Sequence, residues 1–359
     1  MNIQNDYNDN KKITYHEQTD ISNILKLREV LKTLPPFCRD YFRAMDPVTT
    51  TNTRISYAYD IRIFFQFLLD ENPAFKNYSL KDFTVDVLDQ LKAVDIEEYL
   101  EYLKVYKNGD KTETNGERGM KRKLSALRSF YAYYFKHEFI KTNPTVLVDV
   151  PKIHDKSIIR LDSDEVALLL DHIEHCGDEL TGQKRAYYEK TKERDLAIVT
   201  LLLGTGIRVS ECVGLDVEDI DFKNNGIKIT RKGGNEMVVY FGPEVERALR
   251  QYLEVREGVT PVTGHEHALF YSTQRKRIGI QAVENLVKKY ARAITTTKKI
   301  TPHKLRSTYG TALYQETGDI YLVADVLGHR DVNTTKKHYA AMDDARRRKA
   351  ASAVHLRED

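Results

Sequence analysis

The chain has 359 residues, with 56 lysines and arginines against 53 aspartates and glutamates, a net charge of +3 and 41% hydrophobic residues. That length accommodates two or more domains with cores of their own, and so small a net charge does not identify a polyanionic partner. The polar first twenty residues hold no signal-peptide core, no run approaches the roughly 18 to 20 apolar residues of a membrane span, and Cys38, Cys176 and Cys212 lie far apart, so the chain reads as cytoplasmic with reduced thiols.

In chain order, residues 1–20, rich in Asn, Asp and Lys, read as a flexible tail. Residues 21–150 carry helical periodicity, at Ile24, Leu27, Leu31 and Leu34 and then over 55–69, 87–103 and 123–139, which predicts an all-helical domain. In its last helix Leu124, Leu127, Tyr131 and Tyr134 form one stripe while Arg118, Arg122, Ser125 and Ser129 form another. Taken alone, that charged face is an ordinary solvated surface. Asn143-Pro144 and Val150-Pro151 bracket a stretch that cannot continue a helix, and the basic segment 151–160 is the expected linker. The second domain, 161–359, opens with Asp162 as a helix N-cap before an acidic first turn. It is helical except at 226–241, where two β-prone runs flank Arg231-Lys232-Gly233-Gly234-Asn235 and predict a hairpin with Lys232 near its tip. Tyr309, Tyr314 and Tyr321 stand at helical core spacing, and 340–356 can form a further helix.

The second domain carries Arg208, Lys232, His303, Arg306, His329 and Tyr339 in that order. Such a set can stabilise a phosphorane-like transition state and supply its nucleophile. Arg208 follows an apolar helix and a Gly204-Thr205-Gly206 turn, which brings it to a surface. Pro302 suits a helix start, and a spacing of three puts His303 and Arg306 on one face. Leu327-Gly328-His329 reads as a helix end reversed at glycine. Of 22 tyrosines, Tyr339 is singled out by its place after this series. His172 with His175, and His265 with His267, lack a third ligand of suitable context, so no metal site is expected.

These blocks, Gly206-Ile207-Arg208-Val209-Ser210-Glu211, Thr230-Arg231-Lys232-Gly233-Gly234-Asn235, Pro302-His303-Lys304-Leu305-Arg306, Leu327-Gly328-His329 and Thr335-Lys336-Lys337-His338-Tyr339, resemble in order and spacing those of the tyrosine recombinases of the integrase family. Over about residues 24–350 the chain is most similar to the single-protein Xer type. The resemblance implies a mainly α fold, with an N-terminal SAM-like core-binding domain and a mostly helical catalytic domain carrying a small β-hairpin. It implies that Tyr339 attacks a scissile phosphate to give a 3′-phosphotyrosine, with Arg208 and Arg306 on the nonbridging oxygens. Lys232 would be general acid, His303 and His329 would support the phosphate or the tyrosine proton, and Glu211 would hold those groups in place. It turns the basic face toward DNA, through Arg54, Arg118, Lys121, Arg122, Lys123, Ser125 and Arg128. It also implies a homotetramer on two double-stranded DNA sites, passing through a Holliday junction with no cofactor, and a terminal helix docked in a neighbouring subunit. Ser307 departs from the pattern, since many relatives have histidine after the second arginine.

The implied role is chromosome-dimer resolution, with integration or excision of a mobile element as the alternative. A non-catalytic DNA-binding protein of the same fold would need neither Lys232 nor Tyr339. A type IB topoisomerase would share the chemistry without a docking terminus, and a metal-dependent transposase would need clustered carboxylates that the sequence does not offer.

Overall fold

A computed structural model describes residues 14–154, 158–231, 234–328 and 332. Lys232, His329, Tyr339 and the helix expected at 340–356 therefore lie outside the described residues. The chain divides into two compact units, with the boundary between residues 155 and 156. Among the described residues no helix is long and apolar enough to cross a membrane.

The first unit opens with α1 (Tyr15–Leu31). A tail was expected up to residue 20, yet the helix starts at Tyr15. Thr14 Oγ1 accepts from the Glu17 amide at 3.3 Å while the Glu17 carboxylate accepts from the Thr14 amide at 2.8 Å, a reciprocal cap that starts a helix without apolar help. Then come α2 (Cys38–Ala44), α3 (Thr51–Glu71), α4 (Val87–Gln90) and α5 (Ala93–Tyr102). An antiparallel hairpin of β1 (Val105–Asn108) and β2 (Lys111–Thr114) follows, before α6 (Glu117–Lys136). The hairpin corrects the all-helical expectation. Its strands are too short and polar to show alternation; the signal was Asn108-Gly109, with Gly109 at φ 62° in the turn. The core lies between α3 and α6, where Ile61, Phe64, Phe65 and Leu68 meet Leu124, Leu127, Phe130 and Tyr131, all buried. Edge-to-face pairs such as Tyr41 with Phe130, 5.2 Å between centroids, bind α2 to that core.

The second unit comprises α7 (Ser163–His175), α8 (Gly182–Thr205), α9 (Val209–Gly214), β3 (Ile220–Asp221), β4 (Gly226–Thr230), β5 (Glu236–Tyr240), α10 (Pro243–Glu257), α11 (Ile280–Ile294), α12 (Pro302–Thr317) and α13 (Ile320–Leu327). Asp162 caps α7 as expected, its amide donating to Glu165 at 2.8 Å. The centre is α8: residues 197–202 are buried all round, and α7, α10 and α12 pack against it. The expected hairpin is β4 with β5, paired from Gly226↔Tyr240 to Thr230↔Glu236. A third strand, β3, adds to its edge through Ile220↔Ile227, a two-residue element below the reach of any sequence period. Tyr314 is buried, but Tyr321 is 71% exposed at the start of α13, so the expected core spacing does not extend to it.

Candidate active site

Thr205 ends α8, and Gly206 reverses the chain in a left-handed conformation, φ 63°. A Cβ there would strike the Tyr309 ring and crowd Leu327, so the turn sits against α12 and α13 only because residue 206 has no side chain. Two residues later Arg208 becomes the N-cap of α9. The buried Glu211 carboxylate accepts from the Arg208 amide at 2.7 Å and from Arg208 Nη1 at 2.7 Å. One side chain thereby caps the helix and fixes the guanidinium. Arg208 Nη2 donates to the Gly328 carbonyl at 3.3 Å.

Arg306 comes from α12 and is buried. Its Nη1 donates to the Gly206 carbonyl at 2.5 Å and its Nη2 to the Leu327 carbonyl. Arg208 and Arg306 therefore meet at one place, the glycine turn after α8 and the last turn of α13, where Gly328 is left-handed at φ 62°. Sequence reasoning passed over a third arginine in the same place. Arg231, at the end of β4, sends Nη2 to the Val326 carbonyl at 2.7 Å. Carbonyls at a helix C-terminus carry the negative end of the helix dipole, which favours cations there.

Three guanidinium groups share this turn, and Glu211 is the carboxylate among their contacts described above. Burial, and beyond it the like charge of Arg208, lowers Arg231 from its ordinary value against the opposing pull of Glu211 and Asp325. An excess of fixed positive charge in a partly desolvated pocket is suited to an anion with several oxygens.

His303, on the first turn of α12, is exposed, and its carbonyl accepts from Ser307 Oγ at 3.1 Å. Ser307 thus spends its hydroxyl on its own helix. Lys232, His329 and Tyr339 lie outside the described residues, but the chain neighbours of the first two, Arg231 and Gly328, touch. Among the described residues no group of three His, Cys, Asp or Glu side chains could hold a metal ion.

On the first unit, the expected DNA-contacting residues separate into two sets. Arg118, Lys121 and Ser125 are exposed on α6, and Arg122 is exposed while pairing with Asp60. Lys123 turns inward to the buried Asp60 at 3.4 Å. Arg128 donates to the Thr145 and Val148 carbonyls at 3.1 and 2.5 Å, tying α6 to the segment after it. Arg54 is buried and pairs with Asp46. The helical register explains the split, because Lys123 falls beside Leu124 and Leu127 on the apolar flank.

The phage integrase family profile matches residues 160–346. The tyrosine recombinase XerS of Lactococcus lactis subsp. cremoris is 32% identical over 341 residues, 88% of this chain and 93% of its own length. XerC of Caldanaerobacter subterraneus subsp. tengcongensis is 32% identical over 348 residues, 93% and 91% of the two chains. Among solved structures, the XerH site-specific recombinase bound to a palindromic difH substrate has a TM-score of 0.61 at 22% identity, over 84% of this chain and 79% of that one. The Tn1549 transposon integrase in complex with circular intermediate DNA has a TM-score of 0.60 at 22% identity, over 84% and 94%. These two likenesses establish the fold.

Proposed function

This chain belongs to the phage integrase family as a Xer-like, site-specific tyrosine recombinase, and from that premise we propose that it cuts and rejoins double-stranded DNA through Tyr339. The observation that carries the proposal is the convergence of Arg208 and Arg306 on the turn that leads into His329. Their carbonyl and carboxylate anchors fix both guanidinium planes before substrate arrives, so little reorganisation is needed as charge develops on a phosphate.

The Tyr339 oxygen forms a bond to the scissile phosphorus as the bond to the 5′ oxygen breaks, leaving a 3′-phosphotyrosine and a 5′-hydroxyl. Arg208 and Arg306 hold the nonbridging oxygens, and His329 donates to one of them. Lys232 delivers a proton to the departing 5′ oxygen, and His303 takes up the tyrosine proton or supports the phosphate. The ester conserves the energy of the broken bond, so attack by a 5′-hydroxyl from a second duplex reverses the step and yields a Holliday junction. Four copies on two sites, each docking its terminal helix in a neighbour, complete two rounds of exchange. The reaction is cytoplasmic, and its role is resolution of chromosome dimers, a reading supported by similarity to Xer recombinases over about nine tenths of the chain.

Fragmented host DNA incubated with the protein and then denatured should retain covalently bound fragments that identify the site. A nicked suicide duplex carrying that site should give a denaturation-resistant adduct with the native chain and none with Tyr339→Phe. An equal adduct yield in that variant would reject the nucleophile. Deletion of the gene should leave unresolved chromosome dimers; a mobile element that stops moving, with dimers still resolved, would assign the protein to that element.

A further inference from the structure

Arg231 is held at both ends. Its amide donates to the Asn235 carbonyl at 2.8 Å and its carbonyl accepts from the Gly234 amide at 3.0 Å, closing the chain between β4 and β5. Its side chain leaves that turn, reaches the Val326 carbonyl, and lies so close to Gly328 that a Cβ there would overlap the guanidinium. Nε and Nη1 are buried and have no hydrogen-bond partner among the described residues. Buried donors without acceptors are costly, and a second cation, Arg208, stands nearby. A side chain held at such cost beside a reacting centre indicates a task other than stability.

We propose that Arg231 is a positioning residue for the proton donor: it fastens the hairpin tip, and Lys232 with it, to the carbonyl end of α13. The inference rests on Lys232 acting as general acid. The hairpin reaches the last turn of α13 through this guanidinium, and Lys232 is the next residue along the chain. Lys232 protonates the 5′ oxygen as it leaves; Arg231 exchanges no proton and touches no reacting atom.

Replacing the bridging 5′ oxygen by sulfur gives a leaving group that departs as a thiolate and needs no proton. Single-turnover cleavage of suicide duplexes with oxygen or sulfur at that position therefore isolates the proton-transfer step. Lys232→Ala should lose about 10²- to 10⁴-fold on the oxygen substrate and recover on sulfur. Arg231→Ala should lose up to about 10²-fold on oxygen, the scale of a misplaced catalytic group, and come within a few fold of the native chain on sulfur. Arg231→Lys, which keeps the charge and reach to one carbonyl, should show a smaller deficit with the same recovery. Recovery on sulfur also shows that a variant is folded. If Lys232→Ala recovers while both Arg231 variants stay equally slow on the two substrates, or lose nothing on either, the positioning role is overturned. If Lys232→Ala does not recover, the general-acid premise fails and takes this inference with it.

Discussion

Glu211 holds the first arginine of the pocket with two bonds from one carboxylate, to the amide and to the guanidinium of Arg208. Glu211→Gln keeps an acceptor for the amide but removes the charge that fixes the guanidinium. Hydrogen bonds to charged groups contribute about 1.5–3 kcal/mol, so single-turnover cleavage should fall roughly 10- to 100-fold, with DNA affinity little changed. Unaltered cleavage would show that the carboxylate only caps α9. At this scale the motif blocks singled out Arg208, Arg306 and Glu211, which the fold brings to one turn, while the roles given to them belong to the proposal. It was illegible at Arg231, because nothing in a linear chain shows that a side chain next to Lys232 crosses to Val326 and Gly328. Lys123 was misjudged for a related reason, since a basic run does not reveal which of its members faces a buried aspartate.

The elements divide the work between a rigid support and a pocket assembled at element ends. Three glycine-dependent turns or caps, after β4, α8 and α13, bring the arginine-bearing segments together, and helix caps and left-handed glycines are signals that a sequence displays. Strands of two to four residues are not, which is why β3 and the β1–β2 hairpin were missed while β4 and β5 were found. In the first unit the α3–α6 contact contains an ion cluster, with Asp60 facing Lys123 and Arg122. Burial outweighs both cations and raises Asp60 from its ordinary value, so much of the attraction offsets desolvation. Asp60→Ala would leave Lys123, 6% exposed, without that counter-charge. Removing one partner of a buried pair costs about 3–5 kcal/mol, and equilibrium urea unfolding of the first unit should shift by that amount. A shift within about 0.5 kcal/mol, the range of ordinary surface changes, would contradict the burial argument.

At the scale of the whole molecule, a net charge of +3 hides how the cations are spent. Some are committed internally to carbonyls or carboxylates, as Arg128 and Lys123 of α6 are, while Arg118, Lys121 and Arg122 of the same helix are exposed. If that face follows a DNA backbone, Lys121→Ala should reduce the slope of log affinity against log salt by about 0.9, one phosphate contact, in a filter-binding or anisotropy titration. Lys123→Ala should leave the slope unchanged. Equal changes in both would mean that α6 turns a different side to DNA. The central claim is narrower: a phosphate bound by the arginine pocket becomes esterified to Tyr339. Mass spectrometry of the trypsin-digested covalent complex tests it most directly. The nucleotide remnant is predicted on Tyr339, in the peptide from His338 to Arg346; a remnant carried by any other residue would contradict the account.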